Sequence, residues 1–200
     1  MKKLLLSAGF LAAISMTASA APYVLPTPQT GALTPYDWQP TYQVEFLYGI
    51  AAPSSTYSDL YGPRISFNLY SNQEATFRHE WSIDVAALWG DETKNGIKRE
   101  EFMLPITLGY ALNIALTDDI LLYIDGKAGV AIGDMKWKDL DNDEDLPKYS
   151  STDFTFLVGA GVKVIASDAI QVKVGYEYQR AYFDKTLGLH VISVGVGVTF

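Results

Sequence analysis

The end of the chain alternates strictly between apolar residues and small or polar ones. The apolar positions are Ile192, Val194, Val196, Val198 and Phe200. A repeat of two residues is that of a β-strand whose two faces meet different surroundings. The chain is therefore restricted to folds in which a sheet separates an apolar medium from a tight polar space.

Seven earlier segments show the same alternation, so the sequence predicts eight strands. The earlier segments are 41–51, 63–70, 76–90, 99–112, 120–133, 153–166 and 169–182. Most reach the roughly 9–11 residues that a tilted membrane-crossing strand requires. Pro105 lies inside the fourth segment, where proline normally marks a bulge or a sheet edge. The predicted fold is an all-β, eight-stranded, antiparallel up-and-down barrel.

The connections between the segments alternate in length. Short turns are predicted at Ser71–Glu74, Thr117–Asp119 and Ser167–Asp168, and polar loops at Asp91–Lys98, which contains Asn95-Gly96, and at Asp134–Thr152. The link through Asp184 and Lys185 is short where a longer loop is expected. Short turns at one end and longer loops at the other are typical of outer-membrane barrels.

The first forty residues are predicted to lie outside the barrel. Residues 1–20 have the pattern of a secretory signal peptide, with Lys2 and Lys3, a short apolar run and the small residues Ala18-Ser19-Ala20. Residues 21–40 carry five prolines and no periodicity, which favours an extended periplasmic arm. The predicted barrel domain is 41–200.

Composition excludes several classes of protein. Without Lys2 and Lys3, 13 basic and 23 acidic residues remain, which argues against nucleic acid as a partner. The chain has no cysteine, so neither a disulfide nor a lipid-modified cysteine is possible. Its 13 tyrosines and 16 glycines suit an exported barrel better than a disulfide-stabilised globule.

Alternation alone does not say which face of the sheet is inside. A soluble lipocalin-like barrel turns its apolar face inward, and a membrane barrel turns it outward. Glycine, serine and threonine on the polar face suit a narrow interior, and aromatic residues near strand ends suit interfacial girdles. These aromatic residues are Tyr42, Phe77, Trp89, Phe102, Tyr110, Phe154, Tyr178 and Phe200. We therefore expect the apolar face to meet lipid.

The polar face carries a nearly balanced set of charges. It comprises Glu45, Arg64, Arg78, Glu80, Asp84, Glu101, Asp125, Lys127, Lys163, Lys173 and Glu177. An eight-stranded barrel is just wide enough for side chains to fill, and buried charges must pair. Hairpin register predicts Arg64 near Glu45 on one side and near Glu80 or Asp84 on the other. A structural salt-bridge plug is favoured over a gated polar pore.

The segment 139–145 is strongly acidic and invites a calcium hypothesis. An EF-hand-like loop needs glycine at its sixth position and glutamate at its twelfth. Those positions hold Glu144 and Ser150, so a solvated loop is favoured, with weak divalent-cation binding as the alternative. No metal and no cofactor is expected.

The signal peptide, the eight alternating segments and the ending Val194-Val196-Val198-Phe200 resemble the small outer-membrane barrels of the OmpA/OmpX type and opacity-protein-like barrels. The resemblance covers essentially 41–200. It implies a monomer in a Gram-negative-type outer membrane, in contact with outer-membrane lipid and lipopolysaccharide. It also implies that the barrel-assembly machinery reads an assembly signal containing Val196, Val198 and Phe200. Deleting Phe200 is expected to impair assembly more than the stability of the inserted barrel.

Some small outer-membrane barrels are enzymes, and lipid A deacylases among them use a histidine and a serine two residues apart. Here the residues at that distance from His79 and His190 are Trp81 and Ile192. Serines lie three residues away, on the opposite face of a strand. No catalytic residue is assigned. The expected function is a plugged, non-enzymatic barrel with a structural or surface role, with a narrow channel second and a lipid-modifying enzyme third.

Overall fold

The structure is a computed structural model and describes residues 41–53, 58–74, 77–117, 119–142, 144–167, 169–183 and 187–199. These residues form β1 (Thr41–Ala51), β2 (Leu60–Glu74), β3 (Phe77–Ala86), β4 (Leu88–Lys94), β5 (Ile97–Ala115), β6 (Ile120–Asp139), β7 (Glu144–Asp145), β8 (Tyr149–Ser167), β9 (Ile170–Ala181) and β10 (Leu187–Thr199). Within the described ranges, no helix is long and apolar enough to cross a membrane.

The strands form a closed ring with eight positions. β3 and β4 together occupy one position between β2 and β5, and β7 is a two-residue addition to β6. β1 pairs with β10 from Thr41↔Thr199 to Ala51↔Leu189. Closure removes the free edges that an open sheet would present. The predicted eight-stranded antiparallel barrel is confirmed.

The apolar face of the sheet points outward. Along β1, Phe46 is 56 % exposed and Glu45 is 1 % exposed, and the same alternation recurs along the other barrel strands. On β10, Val196 and Val198 of the predicted assembly signal also face outward. A soluble barrel would bury this face, so the lipid-facing arrangement is the one observed. Phe200, residues 1–40 and the link residues Asp184 and Lys185 lie outside the described residues.

Several segments predicted as turns or loops are strand. The predicted turn Ser71–Glu74 belongs to β2, which pairs with β3 as far as Glu74↔Phe77. Most of Asp91–Lys98 lies in the β4–β5 hairpin, and both ends of Asp134–Thr152 belong to β6 and β8. The polar composition of these segments predicts loops, but their backbones continue the pairing of the neighbouring strands.

One predicted turn is confirmed in detail. Asn95 has φ 52° and Gly96 has φ 76°, so both residues adopt the left-handed conformation of a two-residue hairpin turn. The pairing Lys94↔Ile97 flanks the turn directly. This hairpin lies at the end of the barrel opposite Thr41 and Thr199.

The predicted third strand, 76–90, is interrupted at Ala87. Ala87 is buried rather than outward-facing, and its amide donates to the carbonyl of Pro63 at 3.0 Å. A side chain at Gly62 would overlap the Ala87 carbonyl, so only glycine permits this close approach. Pro105 lies opposite the interruption, since β5 pairs with Leu88 through Met103 and with Val85 only from Ile106 onward. The sheet therefore tolerates proline where the ladder is already broken.

Candidate functional site

The interior of the barrel is divided into a charged layer and an apolar layer. We call the end of the barrel that holds Thr41 and Thr199 the chain-terminal end, and the opposite end the long-connection end. The charged layer lies toward the chain-terminal end and contains Glu45, Arg64, Arg78, Glu80, Asp84, Asp125, Lys127, Lys163, Lys173 and Glu177. The apolar layer lies toward the long connections and contains Leu47, Leu60, Ala86, Leu88, Met103, Ala131, Met135, Ala181, Phe183, Leu187, Leu189 and Val191. Where one strand contributes to both the charged and the apolar layer, its residues of either kind lie on the same inward face.

Arg64 lies at the centre of the charged layer. Its Nη2 forms a salt bridge with Glu45 on the adjacent strand. Nη1 and Nη2 also donate one hydrogen bond of 2.6 Å each to the two carboxylate oxygens of Glu177 on β9. The side chains of all three residues are almost completely buried. This bidentate pairing is the strong geometry for a guanidinium and a carboxylate.

Sequence reasoning placed Arg64 beside Glu45, and the register Glu45↔Arg64 confirms this. It did not find Glu177, which approaches Arg64 from across the lumen. Glu80 is not a partner of Arg64, because it lies further along β3, opposite Ser71. Pairing register relates residues on adjacent strands only. It does not predict a contact across the interior between strands that are not adjacent.

Lys173 extends this network toward β6. Its Nζ lies 3.0 Å from Glu45 and 3.8 Å from both Glu177 and Asp125. Lys127 lies 3.8 Å from Asp125 and donates to Asp84 at 2.8 Å. Four carboxylates and three cations are thereby connected, counting Arg64.

Asp84 is also held by two serine hydroxyls. Ser66 on β2 donates to one carboxylate oxygen, and Ser82 donates to the other at 2.8 Å. Together with Lys127, these donors satisfy both oxygens of a fully buried carboxylate. The register pair Ser66↔Asp84 explains why this contact follows directly from strand pairing.

Glu80 forms a separate cluster with two cations. Lys163 donates to it at 2.5 Å, and the Nε of Arg78 lies 2.9 Å away. The ring of Tyr123 joins the two clusters, because Lys163 and Lys173 lie 5.5 and 4.6 Å from its centroid. The ten charges of the layer are five positive and five negative.

The eleventh predicted lumen charge, Glu101, is separate from this layer. It accepts hydrogen bonds from the amide of Ser58 at 2.8 Å and from its hydroxyl at 2.5 Å. Its second oxygen lies 2.6 Å from the Nε of Arg99. Glu101 therefore fixes the β1–β2 connection against β5 beyond the apolar layer.

Small residues on the inner wall make room for the charged side chains. A Cβ at Gly195 would collide with Cγ of Glu45, and a Cβ at Gly175 would collide with the hydroxyl of Tyr123. Gly195 on the last strand thus leaves room for Glu45, and Gly175 on β9 leaves room for Tyr123.

The apolar layer fills the remaining cross-section. The ring of Phe183 covers Gly133, whose absent side chain leaves that space. Leu189, Leu60 and Met103 are fully buried at 0 % exposure. The sequence contained the signal for this layer, because Leu187, Leu189 and Val191 lie on the same face of the last strand as Ser193. The predicted interior emphasised charge and missed it.

A polar cavity of about 40 Å³ lies at the chain-terminal end of the charged layer. Gln43, Asn68, Gln171 and Lys163 are among its lining residues. Amide atoms of Gln43 and Asn68 are buried without a hydrogen-bond partner in the described part of the chain. A polar site of this size has room for a few water molecules. The cavity can therefore hold water next to the charged layer.

Both histidines lie on the outer surface of the barrel. His79 Nδ1 lies 2.6 Å from the hydroxyl of Tyr110, and His190 Nδ1 lies 2.5 Å from the hydroxyl of Tyr176. Ser82 and Ser193 point into the lumen, as the opposite-face argument requires. Each histidine is therefore paired with a tyrosine rather than with a serine nucleophile.

The acidic loop folds around Asp139. This carboxylate accepts hydrogen bonds from the amides of Asp141 and Asn142 at 2.9 and 3.2 Å, and from the side chain of Asn142 at 2.9 Å. The hydrogen bonds from Asn142 and from the Asp141 amide lower the pKa of Asp139. Asp139 thus forms a local turn that orders the start of the loop.

A match to a protein-family model identifies the family of this chain. The model described as the outer membrane protein beta-barrel domain matches residues 7–200. The chain belongs to this family. Its localisation is accordingly the outer membrane, with outer-membrane lipid as its surroundings.

Relatives agree with this assignment. A 22 kDa outer membrane protein of Rhizobium leguminosarum bv. viciae is 34 % identical over 103 residues, which cover 46 % of this chain and 43 % of that protein. The chain is thus matched over less than half the length of this relative.

Solved structures with the same fold include a surface protein and an enzyme. Neisserial surface protein A (NspA) is 14 % identical with a TM-score of 0.58, covering 80 % of this chain and 97 % of NspA. The outer membrane enzyme PagL is 18 % identical with a TM-score of 0.54, covering 79 % of this chain and 99 % of PagL. At these identities the likeness concerns the fold alone.

Proposed function

We propose that this family member is a plugged, non-conducting and non-enzymatic barrel that contributes to outer-membrane structure and presents a rigid surface at its long-connection end. The observation that carries the proposal is the apolar layer across the lumen. Charge pairing alone leaves a hydrated path, whereas a dry apolar constriction excludes both water and ions.

The charged layer supports the same function in a different way. Its opposite charges are mutually paired, and removing one partner of a buried pair is strongly destabilising. Arg64, Glu45 and Glu177 connect β2, β1 and β9 across the interior. This layer is therefore proposed to fix the barrel's shape, and the apolar layer to seal it.

A narrow channel is the second candidate function, and the polar cavity favours it. The cavity brings water to the charged layer, so only the apolar layer separates the two ends. In a channel, that layer would open as a gate.

Ion flux distinguishes the two candidates. Protein reconstituted into potassium-loaded liposomes should release potassium no faster than protein-free liposomes. An open porin serves as the positive control. Sustained release by the wild-type protein at a rate that scales with protein content would replace the plug with the channel.

The non-enzymatic part of the proposal rests on the placement of the histidines, each of which faces outward beside a tyrosine. Mass spectra of lipid A and phospholipids from cells with and without the protein should be identical. Loss or gain of an acyl chain that depends on the protein would contradict the proposal.

The surface role rests on the extended β4–β5 hairpin. Arg99 on β5 lies 2.7 Å from Glu92 on β4, and Lys98 lies 3.0 Å from Glu100 on its own strand. Because β5 also pairs with β6 as far as Ile97↔Asp139, the hairpin is part of a three-stranded extension of the barrel wall. Because the chain has no cysteine, T93C introduces a unique label site there. A membrane-impermeant maleimide should label T93C on intact cells and should not label S167C at the opposite end. Labelling of S167C without labelling of T93C would mean that the β4–β5 hairpin faces the periplasm.

A further inference from the structure

Arg180, near the end of β9, is placed on the lipid-facing surface. It pairs with Phe156 on β8 and with Gly188 on β10. On both neighbouring strands these positions belong to the outward face, because Thr155 and Leu189 beside them are buried. Arg180 therefore does not belong to the balanced charge set of the lumen.

The guanidinium of Arg180 has no acidic partner among the described residues. It lies 5.2 Å from the ring centroid of Tyr182, and its Nε is buried without a hydrogen-bond partner. An arginine on the lipid face of a barrel is costly at mid-bilayer and is tolerated near the interface. Its position next to the β9–β10 connection satisfies that condition. Because Nε is buried, an anion at the same depth would accept hydrogen bonds from the terminal Nη groups of the guanidinium.

Two further polar side chains, those of Tyr178 and His190, lie beside Arg180 on the same surface. Tyr178 lies two residues earlier on β9, and His190 lies opposite Tyr178 on β10, with ring centroids 5.3 Å apart. The Nδ1 of His190 faces the Tyr176 hydroxyl at 2.5 Å. Neither Nε2 of His190 nor the Tyr178 hydroxyl has a partner in the described part of the chain. A cation, a phenol and an imidazole thus present unused donors side by side.

Apolar and aromatic surface continues from these donors. Phe154 and Tyr182 stack with centroids 6.1 Å apart and are 52 % and 45 % exposed, and Val158 is exposed below them. Flat aromatic rings at an interface contact both headgroups and the first segments of acyl chains. The surroundings therefore suit an amphiphile rather than a dissolved ion.

We propose that Arg180, Tyr178 and His190 form a binding site for the phosphate of a lipid headgroup in the leaflet at the long-connection end of the barrel. The planar guanidinium offers two parallel donors that match phosphate oxygens. The Tyr178 hydroxyl and the His190 Nε2 donate to the remaining oxygens. Acyl chains lie along the wall formed by Phe154 and Val158. This site is on the outer wall, so it is independent of whether the lumen conducts.

Native mass spectrometry of the full protein in neutral detergent tests the site. The probes are dimyristoyl phosphatidic acid, dimyristoylglycerol as the matched lipid without phosphate, and inorganic phosphate. The variants are R180Q, R180K and Y178F. K94Q, at the hairpin tip, removes an exposed cation far from the site and is the charge-matched control.

The expected loss of phosphatidic acid affinity in R180Q is about tenfold relative to wild type, as for a removed charge-assisted hydrogen-bonding partner. R180K should fall between the two, because an ammonium offers no planar fork. K94Q should bind as wild type does. Dimyristoylglycerol should bind weakly and equally to all, and inorganic phosphate should not displace the phosphatidic acid.

Equal losses in R180Q and K94Q would overturn the proposal. Displacement by equimolar inorganic phosphate would also overturn it, since it would indicate a site for the free anion. Heat-modifiable gel migration reports whether each variant has folded. If R180Q has not folded, the Y178F variant tests the site instead. Y178F keeps the aromatic ring, which lies over Gly188. Its affinity for phosphatidic acid should fall about threefold, because one hydrogen bond is lost. Wild-type affinity in Y178F would then count against the site.

Discussion

The charged and apolar layers occupy the same lumen and are built from the same inward-facing positions, yet they respond differently to change. In the charged layer, each side chain depends on particular partners, as Arg64 depends on Glu45 and Glu177. In the apolar layer, contacts are non-directional and the important quantity is filled volume. A barrel of this width therefore combines a polar brace, which needs particular partners, with an apolar seal, which needs only filled volume.

Removing the central cation of the charged layer should have the largest effect on stability. R64M leaves Glu45 and Glu177 buried with only lysine partners, and we expect the free energy of unfolding to fall by about 3–5 kcal/mol. Urea titration in lipid vesicles, followed by tryptophan fluorescence, measures this. The control K98Q breaks an exposed pair with Glu100 and should cost no more than about 1 kcal/mol. Equal losses in the two variants would mean that the lumen charges do not act as a brace.

Truncation in the apolar layer should cost somewhat less and should depend on volume. L189A leaves a cavity at a fully buried position, and we expect a loss of about 2–4 kcal/mol in the same titration. L189M preserves most of the volume and should lose less than about 1.5 kcal/mol. If the conservative exchange were as damaging as the truncation, this layer would be as specific as the charged one.

Overpacking the charged layer should have a smaller effect. In G195A, the added methyl group meets Cγ of Glu45, and we expect a loss of about 1–3 kcal/mol. G126A is the matched control, because nothing lies within 4 Å of a Cβ at that outward position. It should unfold like wild type or be slightly more stable. No difference between the two glycine variants would show that Glu45 shifts freely and that its position is not fixed.

The face on which each side chain lies could be predicted from the sequence, because the alternation along a strand depends only on neighbouring residues. Glu45 and Phe46 fall on opposite faces whatever the rest of the chain does, and the pairing of Glu45 with Arg64 follows from the first hairpin. The partnership of Arg64 with Glu177 could not be predicted in this way. It depends on the width of the closed barrel and on which strands lie opposite each other, and neither is encoded within one strand.

Strand ends and the apolar layer were missed for different reasons. The paired residues Glu92 and Arg99 look like loop because they carry charge on a part of the sheet that lies beyond the lipid. The apolar layer was missed because the predicted alternation covered only the stretch from Ile192 onward, whereas the inward face of β10 changes from apolar at Leu187 and Leu189 to small and polar from Ser193. A pattern averaged over the whole strand does not show such a change.

Single-channel conductance in planar bilayers tests the division between brace and seal most directly. The comparison uses wild type, an apolar-layer variant with L47S and L189S, and a charged-layer variant with E80Q and K163Q, each confirmed as folded by heat-modifiable migration. We expect no current through wild type or the charged-layer variant and measurable current through the apolar-layer variant. Current through the charged-layer variant with a silent apolar-layer variant would contradict it, as would steady current through the wild-type protein.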